Sequence, residues 1–286
     1  MKRPLLIAGA GGMLGNALQI VAAERGFETY APEEGSFDIT SHEMVPKVVS
    51  AFAKAHPTGA VLNCAAYTNV DAAEENAQTA FLVNQFGAAL LAENAAANKL
   101  PFVHISTDFV FDGKKSGSYS ETDQPNPLSI YGASKMAGEW AVMAADPKAL
   151  IIRTAWSFGP GGMNFPVKIL EKAKTADRIP VVSDEVGSPT YTIDLAAAML
   201  RLIDVGATGL LHVAGSGWCA RDEMAREILR LAGYHKANVL SVPAASFPGK
   251  AERPANSILD CSKAGVLGVI MPTWRDALAR YVPTLL

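Results

Sequence analysis

A glycine pattern near the N-terminus constrains the fold most. The stretch LLIAGAGGMLG places an apolar run before glycines at 9, 12 and 15, and a helical pattern follows. This spacing is typical of a dinucleotide-binding turn, although a glycine-rich turn without a ligand is the alternative. The first glycine permits a tight turn, the second admits a pyrophosphate, and the third lets helix and strand pack closely. We therefore predict cofactor contacts at Gly9, Gly12, Met13, Leu14 and Gly15.

The same segment begins with MKRPLLIAG, where basic residues precede an apolar stretch, as they do in a secretory signal. A signal core has no use for regularly spaced glycines, whereas a phosphate-binding turn requires them. We therefore expect this segment to form part of the folded domain.

Short apolar runs alternate with helical stretches along the first half of the chain. Predicted strands cover 4–9, 27–31, 60–66, 101–107 and 149–155, and predicted helices cover 13–25, 43–55, 76–98 and 129–146. Such alternation favours a parallel sheet covered by helices on both faces. The predicted fold class is α/β, a doubly wound parallel sheet of the Rossmann type.

Beyond residue 155 the pattern loosens, because glycine and proline interrupt WSFGPGGMNF. Predicted helices lie near 165–176, 192–204 and 219–232, predicted strands lie at 179–182 and 210–214, and residues 242–254 are predicted to be irregular. We predict a dinucleotide-binding domain over 1–155 and a smaller mixed α/β substrate lobe over 156–286. Parts of the lobe are expected to return to the main sheet.

Composition excludes several classes of function. A formal net charge of -3 provides no basic surface for nucleic acid. No uninterrupted apolar run of about 18 residues is present to span a membrane. The three cysteines and five histidines are scattered without metal-site spacing, so we expect no metal and a reducing, cytoplasmic location. A small molecule is the expected partner.

The end of the second predicted strand bears on the choice of cofactor. The stretch TYAPEEGSFDIT contains Glu33 and Glu34 and no arginine. An acidic residue here binds the ribose 2′-hydroxyl of NAD, whereas an arginine accepts the 2′-phosphate of NADP. We predict NADH or NADPH, with a preference for NADH, although Pro32 is also compatible with carboxylates that face solvent. Asp38 and Ile39 are predicted cofactor contacts, Asp38 at the adenine.

The third predicted strand ends in CAAY, and its small residues would let the backbone lie against the adenosine half of the cofactor. We predict contacts at Ala65, Ala66 and Tyr67. Ordinary close packing of the alanines explains these residues equally well.

Polar residues follow the fourth predicted strand, in HISTDFVFDG. Ligands of open α/β sheets bind outside the carboxyl ends of the strands, so Ser106, Thr107 and Asp108 should face the crevice, where a hydroxyl can hydrogen-bond a substrate carbonyl oxygen. The next helix carries Tyr131 and Lys135 one turn apart on one face. The ammonium should lower the pKa of the phenol below about 10, which suits acid–base chemistry. Such a pair also occurs by chance, so it is informative only beside a cofactor site.

These motifs resemble those of the extended short-chain dehydrogenase/reductase family. Within that family the chain resembles the dTDP-4-dehydrorhamnose reductases along nearly its whole length. The matching stretches are NCAAYTNVDAAE, HISTDFVFDG, ETDQPNPLSIYGASKMAGE, RTAWSFGPGGMNF, SDEVGSPTYT and RPANSILD.

The resemblance implies reduction of the 4-keto group of dTDP-4-dehydro-L-rhamnose to dTDP-L-rhamnose by NADH or NADPH. Tyr131 would donate the proton, Lys135 would assist it and hold the nicotinamide ribose, and Thr107 would bind the keto oxygen.

The resemblance also implies substrate contacts at Asp108, Trp156 and Asn164, with a core position as the alternative for Trp156. Arg253 would either reach a diphosphate or cap the fold.

Several positions depart from the family pattern. Some members carry a glutamate that binds magnesium at a dimer contact where this chain has Ala17, so we expect no metal there, and a homodimer remains possible. Glu185 stands where the family usually has glutamine. Phe109 replaces the glutamate of the dehydratases, which speaks against dehydration. The dinucleotide motif by itself is also compatible with an epimerase or with a non-catalytic regulatory subunit.

Overall fold

The computed structural model describes residues 2–32, 35–235, 238–247 and 249–286, and its strands form one large sheet and three small ones. The strands are β1 (Leu5–Ala8), β2 (Thr29–Tyr30), β3 (Ala60–Asn63), β4 (Phe102–Thr107), β5 (Leu150–Thr154), β6 (Ser157–Phe158), β7 (Arg178–Val182), β8 (Val186–Gly187), β9 (Thr190–Tyr191), β10 (Gly209–His212), β11 (Cys219–Ala220), β12 (Asn238–Val242) and β13 (Asn256–Ser257). The helices are α1 (Met13–Glu24), α2 (Met44–Ala55), α3 (Val70–Ala73), α4 (Ala77–Phe81), α5 (Ala88–Ala97), α6 (Ile130–Ala145), α7 (Phe165–Ala173), α8 (Thr192–Asp204), α9 (Arg221–Leu231), α10 (Ser262–Val266) and α11 (Trp274–Tyr281).

The large sheet has the strand order β2-β1-β3-β4-β5-β10, and every neighbouring pair in it is parallel. The chain places β2 on one side of β1 and β3 on the other, so the direction of winding reverses beside β1. Crevices that bind ligands form at the carboxyl ends of strands around such a reversal. The predicted doubly wound parallel sheet is confirmed.

Both faces of the sheet are buried. On β1, Leu5 and Ile7 pack into a core with α1 and α8, whereas Leu6 and Ala8 pack into a second core with α2, α5 and α6. Alternate side chains of a strand point to opposite faces, so helices on both sides require a strand that is apolar throughout. This explains why the predicted strands are continuous apolar runs.

The second half of the chain contributes to two places. Strand β10 joins the large sheet beside β5, and α8 packs against α1. Helices α7, α9 and α11 enclose a third apolar core with the parallel pair β7–β12. A domain boundary at residue 155 stays a prediction, because β10 and α8 follow that residue and pack with the sheet layers.

Several segments differ from the sequence-based expectation. The predicted helix 76–98 is interrupted by a π-helical segment, Leu82–Gly87, between α4 and α5. The segment 242–254 holds a short 3₁₀ turn, Ala244–Ser246, just after β12. Helix α11 was not predicted, although its buried residues recur at helical spacing. None of the described helices is long and apolar enough to cross a membrane.

Candidate active site

The glycine turn after β1 brings three segments into close contact. Gly9 has φ +75°, and a Cβ atom there would lie 2.4 Å from the Ala65 amide nitrogen. A Cβ on Gly15 would lie 2.3 Å from the carbonyl oxygen of Gly9. Neither position accepts a side chain, so both glycines are required for the turn to pack against α1 and the loop after β3.

The N-terminus of α1 is free to bind an anion. Gly12 precedes the helix, no side chain caps it, and the first turn contains no acidic residue. A Cβ on the exposed Gly12 would approach only the Gly9 carbonyl oxygen, at 3.4 Å. Unpaired amide groups and the positive end of the helix dipole therefore face open space, which fits the pyrophosphate of a dinucleotide.

The residues predicted to contact the adenosine half of the cofactor differ in their exposure to solvent. Asp38 lies on the surface, where its Oδ1 accepts hydrogen bonds from the Thr40 amide at 2.9 Å and hydroxyl at 2.8 Å. Ile39 is buried and packs into the core with α2, and its contact with the cofactor stays a prediction. Glu33 and Glu34 lie outside the described residues.

The loop after β3, which holds Ala65, Ala66 and Tyr67, is fastened by Asn84. The Asn84 Oδ1 accepts from the Tyr67 amide at 2.8 Å, and its Nδ2 donates to the Tyr67 carbonyl at 3.1 Å. The same Nδ2 donates to the Ser134 hydroxyl at 2.9 Å. The π-helical segment thus ties this loop to α6, a role that the sequence did not reveal.

Close packing of α6 against the end of β4 brings Tyr131 to the region of Thr107. The Ser129 hydroxyl caps α6 by accepting from the Gly132 amide at 3.1 Å. A Cβ on Gly132 would lie 2.2 Å from the Phe109 carbonyl oxygen, so only glycine permits this approach. The ring of Phe109 meets the ring of Tyr131 edge-on, with 5.6 Å between centroids.

Burial dominates the acidity of Tyr131. Desolvation raises the pKa of its phenol to about 12, a hydrogen-bonding interaction with Thr107 opposes the rise, and the charge of Asp108 adds to it. The expectation that Lys135 would bring this pKa below about 10 is therefore corrected, because burial raises the pKa and the ammonium is not among the groups that shift it. A phenol that is protonated at neutral pH is suited to give a proton.

Lys135 is buried behind Tyr131 on the same helix. Its Nζ donates to the Ile105 carbonyl oxygen at 2.6 Å and lies 3.4 Å from His104 Nε2. Burial lowers the pKa of the ammonium to about 8, although Glu139 and Cys64 favour the charged form.

Asp108 offers an unpaired acceptor at the reacting centre. Its Oδ1 accepts from the Thr107 hydroxyl at 3.0 Å, whereas Oδ2 is buried without a hydrogen-bond partner among the described residues. The Ser257 hydroxyl is near enough to lower the pKa of Asp108, but within the described chain its geometry makes no hydrogen bond. Burial nevertheless raises this pKa to about 6. A buried oxygen without a partner fits a ligand hydroxyl.

Trp156 adopts an unusual backbone conformation, with φ +44°. The Cζ of Arg221 lies 3.9 Å from its ring centroid, and a Cβ on Gly187 would lie 2.4 Å from its Cε2. The indole is thus held between a guanidinium and a glycine backbone. Glu185, one of the departures from the family pattern, accepts from Arg221 Nε at 2.6 Å and fixes the guanidinium.

Asn164 is occupied by structural hydrogen bonds. Its Oδ1 accepts from the Val167 amide at 3.3 Å and so caps α7. Its Nδ2 donates to the Gly159 carbonyl at 2.8 Å and to the Tyr281 hydroxyl at 2.9 Å. These contacts indicate an anchoring role, and a contact between Asn164 and a substrate stays a prediction.

A cavity of about 430 Å³ lies beside α3, the end of β7 and the start of α9. Arg253 lines it and donates from Nη2 to Asp71 Oδ2 at 2.6 Å. The lining residues are Asp71, Val182, Glu185, Arg221, Ala244, Ser246, Phe247, Gly249 and Arg253. Each of its two guanidinium groups is paired with a carboxylate of the same lining, Arg221 with Glu185 and Arg253 with Asp71, so an anionic ligand would have to replace a carboxylate in these pairs.

Comparison with known proteins agrees with this geometry. The family model described as the RmlD substrate binding domain matches residues 1–286. The chain belongs to this family.

Several relatives and solved structures carry the name dTDP-4-dehydrorhamnose reductase. The dTDP-4-dehydrorhamnose reductase of Aggregatibacter actinomycetemcomitans is 38% identical, with 96% of each chain covered. That of Mycobacterium tuberculosis is 39% identical over 96% of this chain and 91% of the relative. The structure of the reductase of Bacillus anthracis in complex with NADP has a TM-score of 0.93 and 35% identity, covering 99% of this chain and 100% of that one.

Sequence reasoning missed several residues of the site. Asn63 and His104 lie inside predicted strands, where their burial cannot be told from that of an apolar neighbour. Arg221 begins α9 in the stretch SGWCARDEMA, to which the sequence alone assigns no role. Within the described ranges, no three side chains converge as a metal site.

Proposed function

We propose that this chain reduces the 4-keto group of dTDP-4-dehydro-L-rhamnose to dTDP-L-rhamnose, with NADH or NADPH as the reductant. The names of its relatives support the substrate. The observation that carries the proposal is the meeting of Thr107, Tyr131 and Lys135 at the carboxyl end of the sheet, next to an uncapped glycine turn.

The glycine turn supports a nicotinamide dinucleotide as the cofactor. The amides of Met13 and Leu14 would hold the pyrophosphate beside Gly12, and the loop of Ala65, Ala66 and Tyr67 would lie against the adenosine. When bound, the reduced nicotinamide supplies the hydride that the carbonyl carbon receives.

The protein supplies the proton. The Tyr131 hydroxyl would donate it to the keto oxygen, which becomes the new hydroxyl group, and the Thr107 hydroxyl would orient that oxygen. A positioned proton donor typically accelerates such a step by about 10² to 10⁴. Lys135 would restore the proton of Tyr131.

The remaining polar groups would hold the rest of the substrate. The unpaired Oδ2 of Asp108 would accept from a sugar hydroxyl, and the part of the Trp156 ring that Arg221 and Gly187 leave exposed would contact the deoxysugar. Arg221 and Arg253 would bind the diphosphate in the cavity, which requires Arg253 to exchange Asp71 for phosphate oxygens.

Dehydration is disfavoured at this site. The residue after Asp108 is Phe109, whose amide donates to the Thr107 hydroxyl at 3.2 Å and whose ring packs on Tyr131. A phenyl group transfers no proton, so elimination of water lacks its acid–base partner.

The proposal is tested with purified protein, dTDP-4-dehydro-L-rhamnose and NADH or NADPH. We expect the absorbance of the reduced nicotinamide to fall in proportion to the dTDP-L-rhamnose formed. The Tyr131→Phe protein is the matched control, and dTDP-glucose with NAD tests for dehydratase activity. Unchanged absorbance, or a product with the other configuration at C4, would contradict the proposal.

A further inference from the structure

Behind the reacting centre, three buried polar side chains from three elements lie in a row. Asn63 ends β3, His104 lies within β4 and Lys135 lies on α6, and they are 1%, 0% and 2% exposed. The Nδ2 of Asn63 lies 3.1 Å from His104 Nδ1, and His104 Nε2 lies 3.4 Å from Lys135 Nζ. All three side chains are removed from water, so their hydrogen-bonding roles must be satisfied by neighbouring protein groups.

The orientation of the Asn63 amide is fixed by the backbone. The Ala65 N–H donates to Asn63 Oδ1 at 3.1 Å, and a backbone N–H can only donate. The amide oxygen therefore points at Ala65 and the NH₂ group points at His104. Because the NH₂ group also donates, His104 Nδ1 must accept and carries no proton.

The single proton of the imidazole then lies on Nε2. Burial and the charge of Lys135 lower the pKa of His104 well below its usual value, so the ring is neutral. Its Nε2–H faces Lys135 Nζ. Two donors oppose each other while the lysine is an ammonium, whereas a neutral amine would offer a lone pair to that N–H.

We propose that Asn63 and His104 are positioning residues that hold the imidazole in its Nε2–H tautomer and so disfavour the ammonium form of Lys135. The inference rests on the proposed function. After Tyr131 has given its proton to the substrate, a proton moves from the lysine nitrogen to the phenolate oxygen. The N–H bond of the ammonium breaks, the phenol O–H forms, and the resulting amine accepts from His104. Solvent later returns a proton to the lysine.

Other groups that face Lys135 do not produce this effect. Glu139, one helical turn along α6, favours the ammonium. Cys64, at the end of β3, is a neutral thiol at physiological pH because burial raises its pKa to about 12. The Ile105 carbonyl accepts from either form of the lysine. Desolvation and the opposed His104 N–H therefore act together against the charge, in agreement with a pKa of about 8 for Lys135.

Nuclear magnetic resonance of the whole protein tests the tautomer without substrate. Long-range ¹H–¹⁵N spectra distinguish a protonated from an unprotonated imidazole nitrogen, and the His104→Gln protein assigns the signals. We expect Nε2 to be protonated in the native protein. In Asn63→Asp a carboxylate oxygen still accepts from Ala65 while the other accepts from His104, so the proton should move to Nδ1. A native ring protonated on Nδ1 would overturn the inference even if the chain is an active reductase.

The pH dependence of turnover tests the consequence. We expect the alkaline limb of kcat for the proposed ketone to move up by about one pH unit in Asn63→Asp, since Nε2 then accepts from the ammonium and a negative charge is added. In His104→Gln the alkaline limb of kcat should also move to higher pH, with KM little changed. His212→Gln is the matched control, because His212 is a buried histidine whose Nε2 lies 3.5 Å from a different cation, Arg153. If the alkaline limb of kcat lies at the same pH in both variants as in the native protein, the inference is wrong. If the native protein does not reduce the ketone but its His104 ring is protonated on Nε2, only the proposed function is wrong.

Discussion

Two buried cations, Arg153 and Lys135, both interact with Glu139 but differ in how completely the protein pairs them. Arg153, on β5, donates to both oxygens of the Glu139 carboxylate, from Nε to Oε1 at 2.8 Å and from Nη2 to Oε2 at 2.6 Å. It also lies over the Phe111 ring, at 5.0 Å. Lys135, one turn from Glu139 on α6, has a carbonyl oxygen and an opposed histidine instead.

The difference shows how one fold can hold one cation in a permanent ion pair and leave another able to release a proton. A guanidinium cannot release its proton in a protein, so Arg153 is suited to a permanent pair. An ammonium shifts its pKa readily when buried, so incomplete pairing makes the Lys135 proton mobile. The Ser106 hydroxyl, which donates to Glu139 at 2.5 Å, completes the pair on the structural side.

Removing the proton donor should have the largest effect. We expect Tyr131→Phe to lower kcat by about 10² to 10⁴ while the fold and cofactor affinity are kept. Lys135→Met should lose as much and also weaken cofactor binding. The double variant should be little worse than either single one, because both residues act through one phenol. Single-turnover rates and cofactor titration measure these effects. A Tyr131→Phe protein that turns over near the native rate would assign the proton to Asp108 or to water.

Replacing Arg153 should lower the stability of the protein more than replacing Lys135. Arg153→Met leaves the Glu139 carboxylate buried and unpaired, so the free energy of unfolding should fall by about 3–5 kcal/mol. Lys135→Met removes the hydrogen bond to the Ile105 carbonyl oxygen and breaks no ion pair, so it should cost about 1–3 kcal/mol. Urea denaturation of both proteins at neutral pH gives the comparison. Equal losses would show that Lys135 is as firmly paired as Arg153.

The pH profile should be bell-shaped. The ammonium of Lys135 is lost as pH rises through its pKa of about 8, so reduction should weaken above that pH. The Asp108 carboxylate is protonated as pH falls through its pKa of about 6, so substrate affinity should weaken below it. On each side of the optimum, kcat/KM should fall by up to about tenfold per pH unit. Tyr131 stays protonated throughout this range because its pKa is about 12. A flat profile between about pH 5 and 9 would contradict both assignments.

The smallest expected effect is on the choice between NADH and NADPH. No arginine occurs in TYAPEEGSFDIT, so a ribose 2′-phosphate would find no guanidinium from that stretch. We expect NADH to be used as well as or better than NADPH, with kcat/KM as the measurement. A preference for NADPH above about tenfold, or about 1.4 kcal/mol, would reverse this expectation.

The fold was predictable because its strong signals are local. Apolar runs such as LLIA, bounded by glycine and followed by helical spacing, determine the parallel sheet, and the glycine turn determines where it winds. Helix α11 was missed because an eight-residue segment rich in charge gives too weak a periodic signal. The π-helical segment was also missed, since it differs from an ordinary helix by one hydrogen-bond step.

The candidate site was predictable in its residue types and less so in its electrostatics. Tyr131, Lys135 and Thr107 follow from motif spacing and from the rule that strand ends converge. Burial, which reverses the expected shift of the Tyr131 pKa, depends on how closely Gly132 lets α6 approach β4. The Asn63–His104 contact depends on strand register, which pairs these residues side by side across β3 and β4.

The position of β10 at the edge of the sheet has a consequence for synthesis on the ribosome. When residues up to the end of β5 have emerged, that strand presents an unpaired edge and the face of α1 that α8 later covers is open to water. Exposed strand edges and apolar faces are sites of aggregation. The nascent chain must therefore wait for about 60 further residues before its sheet closes, and chaperone binding is expected to be strongest during that interval.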